Sequence, residues 1–110
     1  WRLSNSLMLV AEADNMIAGF ANFSSVNEKG QAELSAVYLL PEYQGEGIGS
    51  ALLNTGIEKL ENVREIHLDV EKDNTIGTAF YKAKGFKTVD EYDDNFDGHM
   101  LKTVRMVLMI

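Results

Sequence analysis

Hydrophobic and polar residues follow two different periods along this chain, and the first half begins with the period of a β-strand. Apolar runs at 7–13 and 16–23 flank an Asp-Asn pair at 14–15. This combination predicts a β-hairpin with a two-residue turn, because both turn residues tolerate positive φ. A third apolar run at 32–40 is closed by Pro41, which cannot donate to a strand ladder. The pattern therefore predicts three consecutive strands.

The spacing of apolar residues becomes helical near Gly47. They recur three and four positions apart until the Glu-Asn pair at 61–62, which predicts a helix with Ile48, Leu52, Leu53, Ile57 and Leu60 on one face. A second helix is predicted over about 75–84, because Asn74 is a suitable N-cap and Gly85 suits the position after a helix. We expect the inward face of this second helix to carry Ile76, Phe80 and Ala83.

Strand periodicity returns in the remaining segments. Residues 64–71 alternate between apolar and polar, and two last strands are predicted over 86–92 and 100–110, joined by a loop at 93–98. The predicted order is β-β-β-α-β-α-β-β, an α/β domain with a single mixed, mostly antiparallel sheet. Its central strand–helix–strand unit would place the strands at 32–40 and 64–71 parallel to each other.

Composition narrows the function classes. The 110 residues, 45% of them hydrophobic, suit one domain spanning 1–110. The formal net charge of −7 disfavours nucleic-acid binding, which depends on Lys and Arg, and favours a cationic partner. The sequence has no cysteine, no membrane-length apolar run and no signal-peptide layout, so we expect a cytoplasmic protein with no membrane partner.

The segment PEYQGEGIGSALLN, residues 41–54, contains the most informative motif. It places three glycines within five positions immediately before the first predicted helix. N–H groups at a helix N-terminus have no partner inside the helix, and with the helix dipole they bind anions such as phosphate. Glycines at 45, 47 and 49 let the backbone curl and approach a pyrophosphate closely.

Two other phosphate-binding motifs fit this segment poorly. A P-loop needs a Lys directly after its last glycine, and no Lys lies in this turn. A dinucleotide-binding fingerprint begins directly after its strand, whereas residues 41–44 intervene here and only one more helix is predicted. ATP, GTP and dinucleotides are therefore disfavoured as ligands.

Two stretches resemble the conserved blocks of a known family. AVYLLPEYQGEGIGSALL, 36–53, resembles the signature of the GNAT superfamily of N-acetyltransferases, with its Q/R-x-x-G-x-G/A core at Gln44, Gly47 and Gly49. LDVEKDNTIGTAFYKAKGF, 68–86, resembles the second block, in which Asn is followed by Phe-Tyr and then Gly-Phe. The resemblance extends over residues 7–110 and is nearest to small bacterial-type enzymes related to polyamine acetyltransferases.

The resemblance implies an acyl-CoA N-acyltransferase-like fold, and two departures from the family accompany it. Members usually begin with a strand and two helices that shape the acceptor pocket, whereas this chain begins at Trp1 with what resembles the second strand. We therefore expect an N-terminally truncated domain, whose uncovered sheet would favour a homodimer. Position 46 holds Glu, where many relatives carry a basic or neutral residue.

The resemblance also implies a cofactor site and a reaction, the direct transfer of an acetyl group from acetyl-CoA to an amine in a ternary complex. The strands at 32–40 and 64–71 would splay apart, so that pantetheine pairs with the backbone of Val37, Tyr38 and Leu39, where an N–H would stabilise the oxyanion. The alternative is an unbroken strand ladder. The pyrophosphate would be held by main-chain N–H groups of Gln44, Gly45, Glu46, Gly47, Ile48, Gly49 and Ser50.

Three side chains are matched to roles in this reaction. Tyr81 aligns with the family tyrosine that protonates the departing thiolate, and its reference pKa of about 10 suits that transfer; the alternative is a packed Tyr. Asn74 would contact pantetheine in the family, and a simple N-cap is compatible with that. Glu33, expected on the same strand face as Val37 and Leu39, would deprotonate the ammonium; the alternative is a surface carboxylate.

The acceptor and the activity itself stay open at this point. An acidic cluster at 90–97 is either a solvated turn or a surface that steers a cationic amine. No His, Cys and Asp grouping has metal-ligand spacing, so no metal is expected. The alternative function is an acyl-CoA-binding or interaction module of the same fold with weak or no acetyltransferase activity.

Overall fold

Six strands and two α-helices make up the described part of the chain, residues 6–45, 47–96 and 98–110 of a computed structural model. The chain divides into two units, Trp1–Arg64 and Glu65–Ile110. In chain order the elements are β1 (Ser6–Ala13), β2 (Met16–Ser24), β3 (Gln31–Leu39), a 3₁₀ helix (Pro41–Tyr43), α1 (Ile48–Lys59), β4 (Glu65–Glu71), α2 (Thr75–Ala83), β5 (Lys87–Phe96) and β6 (His99–Met109). This order matches the one predicted from periodicity.

The first unit begins with the predicted hairpin. β1 and β2 are antiparallel, and Ala13 pairs with Met16 across a two-residue turn. Asp14 and Asn15 occupy this turn with φ of 53° and 64°, the left-handed conformation that such tight hairpin turns require. β3 then pairs antiparallel with β2, which completes a three-stranded sheet within this unit.

One face of this sheet packs against α1 and forms the core of the first unit. Phe23 of β2 is fully buried, and Leu52 and Leu53 of α1 are 5% and 4% exposed. Gly56 allows the close approach of α1 to the sheet, because a Cβ there would overlap the Phe23 ring. The helical spacing of apolar residues that predicted α1 therefore marks its packed face.

A β-bulge in β3 changes which side chains share a face, and the prediction for Glu33 was wrong on this point. The register shifts so that Phe23 pairs with Leu34, whereas Ala21 pairs with Val37. Paired residues on antiparallel strands point to the same face, so Leu34 and Val37 share a face although they are three positions apart. Glu33 consequently lies on the face opposite Val37, because the bulge inserts one extra residue.

The second unit is built on β4, β6 and β5, with β6 pairing antiparallel to both neighbours. Alternation in β4 is confirmed, since Ile66 and Leu68 are at most 2% exposed. They lie opposite Leu108 and Met106 of β6, and Met106 is also fully buried. Ile66, Leu68 and Met106 are therefore in the core of this unit, and Leu108 is half-buried beside them.

Two predictions for the second unit were wrong. Residues 93–96 of the predicted loop are not a loop, because β5 continues to Phe96, which pairs with His99 of β6. The acidic side chains at 90–93 therefore belong to a strand and do not form an acidic turn. Asp97, the last residue of the predicted acidic cluster, lies outside the described residues. Glu91 forms an ion pair with Lys72 at 2.9 Å, and the hydrogen bond from Lys72 lowers the pKa of the Glu91 carboxyl.

The predicted inward face of α2 is also incorrect. Ile76 is 78% exposed, Ala83 is exposed and Phe80 is half-buried. The described helix buries no residue fully. Helical spacing identified an apolar stripe correctly, but spacing alone contains no information about whether another element covers that stripe.

Candidate functional site

The glycine-rich loop follows directly from β3 through a short 3₁₀ helix. The N–H of Tyr43 donates to the carbonyl of Leu40 at 2.9 Å, and the N–H of Gln44 donates to that of Pro41 at 3.2 Å. Pro41 suits the first position of this turn, where its missing N–H costs no hydrogen bond. The chain thus leaves the sheet in a fixed direction before the glycines begin.

Gly45 and Gly47 have φ of 84° and 82°, a left-handed conformation that non-glycine residues adopt at a cost. A Cβ added at either position would have no atom within 4 Å. The glycines are therefore required by backbone conformation and not by lack of space. Both residues are exposed, so the backbone of each glycine is accessible to a ligand. Glu46 lies outside the described residues.

The N-terminus of α1 presents unpaired donors at this loop. Gly47 is the N-cap residue and has no side chain to cap the helix, so the first helical hydrogen bond runs from Ala51 N–H to the Gly47 carbonyl at 3.0 Å. The N–H groups of Ile48, Gly49 and Ser50 precede that bond and have no acceptor inside the helix. The first turn contains no acidic residue, which together with the helix dipole makes this end suited to an anion.

The loop is anchored to the β1–β2 hairpin, a feature that the sequence did not reveal. The Tyr43 hydroxyl donates to Asp14 Oδ2 at 3.1 Å, across 29 positions of the chain, and the Leu40 N–H donates to the Ala18 carbonyl at 2.8 Å. Gln44 Nε2 lies 3.5 Å from the Leu39 carbonyl. The hairpin turn therefore holds the start of the glycine loop in place. No local pattern pairs Tyr43 with Asp14, because the contact depends on the tertiary fold.

The end of β3 carries the predicted pantetheine residues next to this loop. Val37 and Leu39 are half-buried and share the face packed against α1, where Val37 pairs with Ala21. Tyr38 points to the other face, is 50% exposed and lies 5.9 Å from the Phe20 ring centroid. The role of their backbone in cofactor binding stays a prediction.

Tyr81 lies in the second unit, on α2, between two aromatic rings. Its ring centroid is 5.4 Å from that of Phe80 and 5.5 Å from that of Phe86, both in edge-on geometry. Burial raises the pKa of the Tyr81 phenol above its ordinary value. Within the described residues the hydroxyl has no hydrogen-bond partner. The phenol is therefore protonated at neutral pH and able to donate.

The raised pKa of Tyr81 predicts a measurable dependence of stability on alkaline pH. The folded state holds this proton more tightly than the unfolded state, whose pKa is about 10, so the stabilising contribution is present below that pH and lost as the pH rises through the folded pKa. We expect the free energy of unfolding to fall more steeply between pH 9 and pH 11 in the wild type than in Tyr81→Phe, by urea denaturation. Parallel curves would contradict the burial of this phenol.

Asn74 has the N-cap role predicted for it. Its Oδ1 accepts a hydrogen bond from the Gly77 N–H at 2.9 Å, which satisfies one of the free donors of α2. Gly77 leaves space for this side chain, because a Cβ there would overlap the Asn74 amide. Asn74 is exposed, and contact with a cofactor is neither required nor prevented by the cap.

Glu33 is half-buried, and its N–H donates to Ser24 Oγ at 2.8 Å. The bulge places it on the sheet face opposite Val37, on the side that also carries Tyr38, rather than beside Val37 and Leu39 as predicted. His67, on β4, has its Nε2 2.7 Å from Glu65 Oε1. Within the described residues no group of three His, Cys, Asp or Glu is arranged to hold a metal ion, and no helix is long and apolar enough to span a membrane.

Comparison with known proteins finds a matching family model and similar curated proteins. The family model described as acetyltransferase (GNAT) family matches residues 1–86. The spermidine N(1)-acetyltransferase of Thermoplasma acidophilum is 37% identical over 92 residues, which cover 82% of this chain and 56% of that protein. This chain therefore spans little more than half the length of that curated relative.

Solved structures share the fold. Nourseothricin acetyltransferase matches 96% of this chain and 65% of its own with a TM-score of 0.87 at 22% identity. The PaiA N-acetyltransferase from Thermoplasma acidophilum, solved in complex with coenzyme A, matches 96% of this chain and 62% of its own with a TM-score of 0.73 at 31% identity. These likenesses confirm the predicted fold class, the mixed, mostly antiparallel α/β fold of acyl-CoA N-acyltransferases.

Proposed function

Because this chain belongs to the acetyltransferase (GNAT) family, we propose that it transfers the acetyl group of acetyl-CoA to a primary amine by direct attack in a ternary complex. The observation that carries this proposal is the open glycine loop at the N-terminus of α1. It combines left-handed glycines with unpaired N–H groups and no acidic residue in the first helical turn. That arrangement suits the pyrophosphate of a CoA ester.

In this proposal the first unit binds the donor. Main-chain N–H groups from Gln44 to Ser50 hold the pyrophosphate, and the backbone of Val37 to Leu39 pairs with the pantetheine arm. The hydrogen bond from Tyr43 to Asp14 keeps the loop in its binding conformation. Support comes from the PaiA relative, a structure in complex with coenzyme A.

Acetyl-CoA supplies a thioester, whose carbonyl carbon forms a bond to the amine nitrogen while the carbon–sulfur bond breaks. Residues of this chain donate and accept the protons. Tyr81 donates its phenolic proton to the departing sulfur, for which its protonated state at neutral pH is suited. Glu33 is proposed as the base that accepts the proton of the ammonium, directly or through water. The second proton, which the nitrogen loses after the attack, returns through solvent to the Tyr81 phenolate. A main-chain N–H of 37–39 stabilises the oxyanion.

The acceptor is a primary amine, and a polyamine is the first candidate. The T. acidophilum relative is a spermidine N(1)-acetyltransferase, and the net charge of −7 attracts a polycation. A transfer assay with acetyl-CoA and a panel of amines that begins with spermidine tests the activity. Binding of acetyl-CoA without transfer to any amine would instead identify an acyl-CoA-binding module. The cytoplasmic location and the homodimer stay predictions that accompany this proposal.

Gly47→Ala tests the loop, and Gly98→Ala is its matched control. The two glycines have φ of 82° and 81°, and an added Cβ meets no atom within 4 Å at either. Both substitutions should therefore cost a similar strain of about 1–2 kcal/mol in the free energy of unfolding. Only Gly47 is the N-cap of α1, so only Gly47→Ala should weaken acetyl-CoA binding, by roughly tenfold or more.

Calorimetric titration of the two variants separates strain from loop function. Equal acetyl-CoA affinity in Gly47→Ala and Gly98→Ala would contradict the role given to the loop. Equal loss of stability with unequal loss of affinity is the expected result.

A further inference from the structure

A pocket of about 650 Å³ lies in the first unit, at the C-terminal end of α1. The glycine loop is at the opposite end of this 12-residue helix, about 18 Å away at the rise of an α-helix. The pocket is therefore separate from the proposed pyrophosphate site. We call it the turn pocket, and it is lined by Asn27, Glu28, Lys29, Gly30, Asn62, Val63 and Arg64.

One wall of the turn pocket is a hydrogen-bonded turn between β2 and β3. Asn27 Oδ1 accepts from the N–H groups of Lys29 and Gln31, both at 2.9 Å, and its Nδ2 donates to Gln31 Oε1 at 3.1 Å. The Gly30 N–H donates to the Asn27 carbonyl at 3.0 Å. The backbone that carries Lys29 is thus fixed before any ligand arrives, which lowers the entropy cost of binding.

The other wall of the turn pocket is the segment 62–64. Arg64 joins it to the turn at Gly30. The Arg64 N–H donates to the Gly30 carbonyl at 2.7 Å. The aliphatic part of the Arg64 side chain covers Gly30, because a Cβ added there would lie 2.9 Å from Arg64 Cγ. The aliphatic stem of this arginine is therefore packed over Gly30, and Arg64 is one of the residues that line the pocket.

The charges of the turn pocket favour an anion. Lys29 and Arg64 are exposed, and within the described residues neither forms an ion pair. Other exposed lysines in the described part of the chain, such as Lys82, also lack an ion pair. The distinguishing feature of Lys29 and Arg64 is therefore that they line the same pocket. Glu28 is the one carboxylate among the lining residues. Its negative charge repels an anion, and so does the negative end of the α1 dipole.

We propose that the turn pocket binds a small organic anion with at least two negative charges, such as a phosphate ester or a polycarboxylate. Arg64 offers a planar fork that matches phosphate or carboxylate oxygens, and Lys29 offers a second point charge. A volume of about 650 Å³ fits small molecules, for which pockets of about 300–1,000 Å³ are usual. Glu28 and the helix dipole offset part of the positive charge of Lys29 and Arg64. A ligand with two or more negative charges gains more from the positive charge that remains than a monoanion does. This inference does not depend on the proposed acetyltransferase activity.

Residue-resolved NMR titration tests the proposal, with inorganic phosphate and citrate as separate probes and sodium chloride at matched ionic strength as the reference. The wild type is compared with Lys29→Gln/Arg64→Met, which keeps the aliphatic stem over Gly30 but removes both charges. Lys29→Gln alone leaves the Arg64 contact untouched, and Lys82→Gln removes an exposed charge of the second unit.

The expected result is a saturable shift of the Gly30, Asn62 and Val63 amide signals in the wild type and in Lys82→Gln. The affinity should fall at least about tenfold in the double variant and measurably in Lys29→Gln. Comparison of the phosphate and citrate affinities shows which of the two oxyanions the pocket prefers. Non-saturating shifts, or equal affinity in the wild type and the double variant, would overturn the proposal. Acetyl-CoA titration of the same proteins reports separately on residues 44–50. Loss of anion binding at the turn pocket can therefore be told apart from loss of acetyl-CoA binding at the glycine loop.

Discussion

Tyr81→Phe should lower kcat by about 10²–10⁴-fold while the acetyl-CoA affinity stays nearly unchanged. The substitution removes only the hydroxyl, so the edge-on contacts with Phe80 and Phe86 are retained. What is lost is the proton that burial keeps on the phenol at neutral pH. Without it, the departing thiolate must be protonated by water. The transition state is then less stable while the bound ground state is unchanged, so kcat falls and the affinity does not.

Tyr92→Phe is the matched control for this experiment. Tyr92 is a tyrosine of the same unit, on β5, and is 38% exposed. Steady-state kinetics of both variants, with calorimetric titration of acetyl-CoA, separate catalysis from binding. A Tyr81→Phe enzyme with wild-type kcat would remove the acid role, and a large loss in Tyr92→Phe would show that the assay reports general damage.

Gly19→Ala should destabilise the protein by about 1–3 kcal/mol in the free energy of unfolding. A Cβ at Gly19 would overlap the Tyr38 carbonyl oxygen and the Leu39 side chain. Gly19 pairs with Leu39 between β2 and β3, so a backbone oxygen stands in the way and one of the strands must shift. The usual gain of about 0.5–1 kcal/mol from replacing glycine in a strand is too small to offset this.

The double variant Gly19→Ala/Leu39→Ala identifies the obstacle. Removing the Leu39 side chain leaves the Tyr38 carbonyl where it is, so urea denaturation should show that the penalty of Gly19→Ala persists in the Leu39→Ala background. Full rescue would contradict this, since it would mean that only a flexible side chain was in the way. Because the shift would affect 37–39, acetyl-CoA affinity should fall as well.

Local signals explain which parts of the fold were predictable. The hairpin at 14–15, the N-cap at Asn74 and the glycine after α2 depend on residues that are adjacent in sequence. Gly85 indeed has φ of 101°, and its N–H donates to the Lys82 carbonyl at 3.0 Å. The glycine loop was recognisable for the same reason, because its conformation is set by Gly45 and Gly47 themselves.

Features that depend on distant partners were not predictable from the sequence. The bulge in β3 arises from its register with β2, and Ser35 Oγ supports it by donating to the Asn22 carbonyl at 3.0 Å. The polar end of β5 forms a strand because β6 pairs with it, and Lys102 lies 3.3 Å from Asp93 across that pair. Tertiary pairing overrides local propensity in both places.

The same limit applies to the candidate site. Motif spacing placed Gln44 to Ser50 and Tyr81, but the face of Glu33 was wrong because one inserted residue reverses strand alternation. The contact between Tyr43 and Asp14 and the turn pocket around Arg64 join segments far apart in sequence. No local pattern indicates them, because each depends on where β2, β3 and α1 begin and end.

Calorimetric titration of the purified chain with acetyl-CoA, with NADH and ATP as controls, is the most direct test of the central claim. We predict saturable binding of acetyl-CoA alone with a Kd in the micromolar range, because the loop at 44–50 offers main-chain donors shaped for its pyrophosphate. Absence of acetyl-CoA binding, or equal binding of NADH or ATP, would contradict the assignment of this loop as a CoA-specific site.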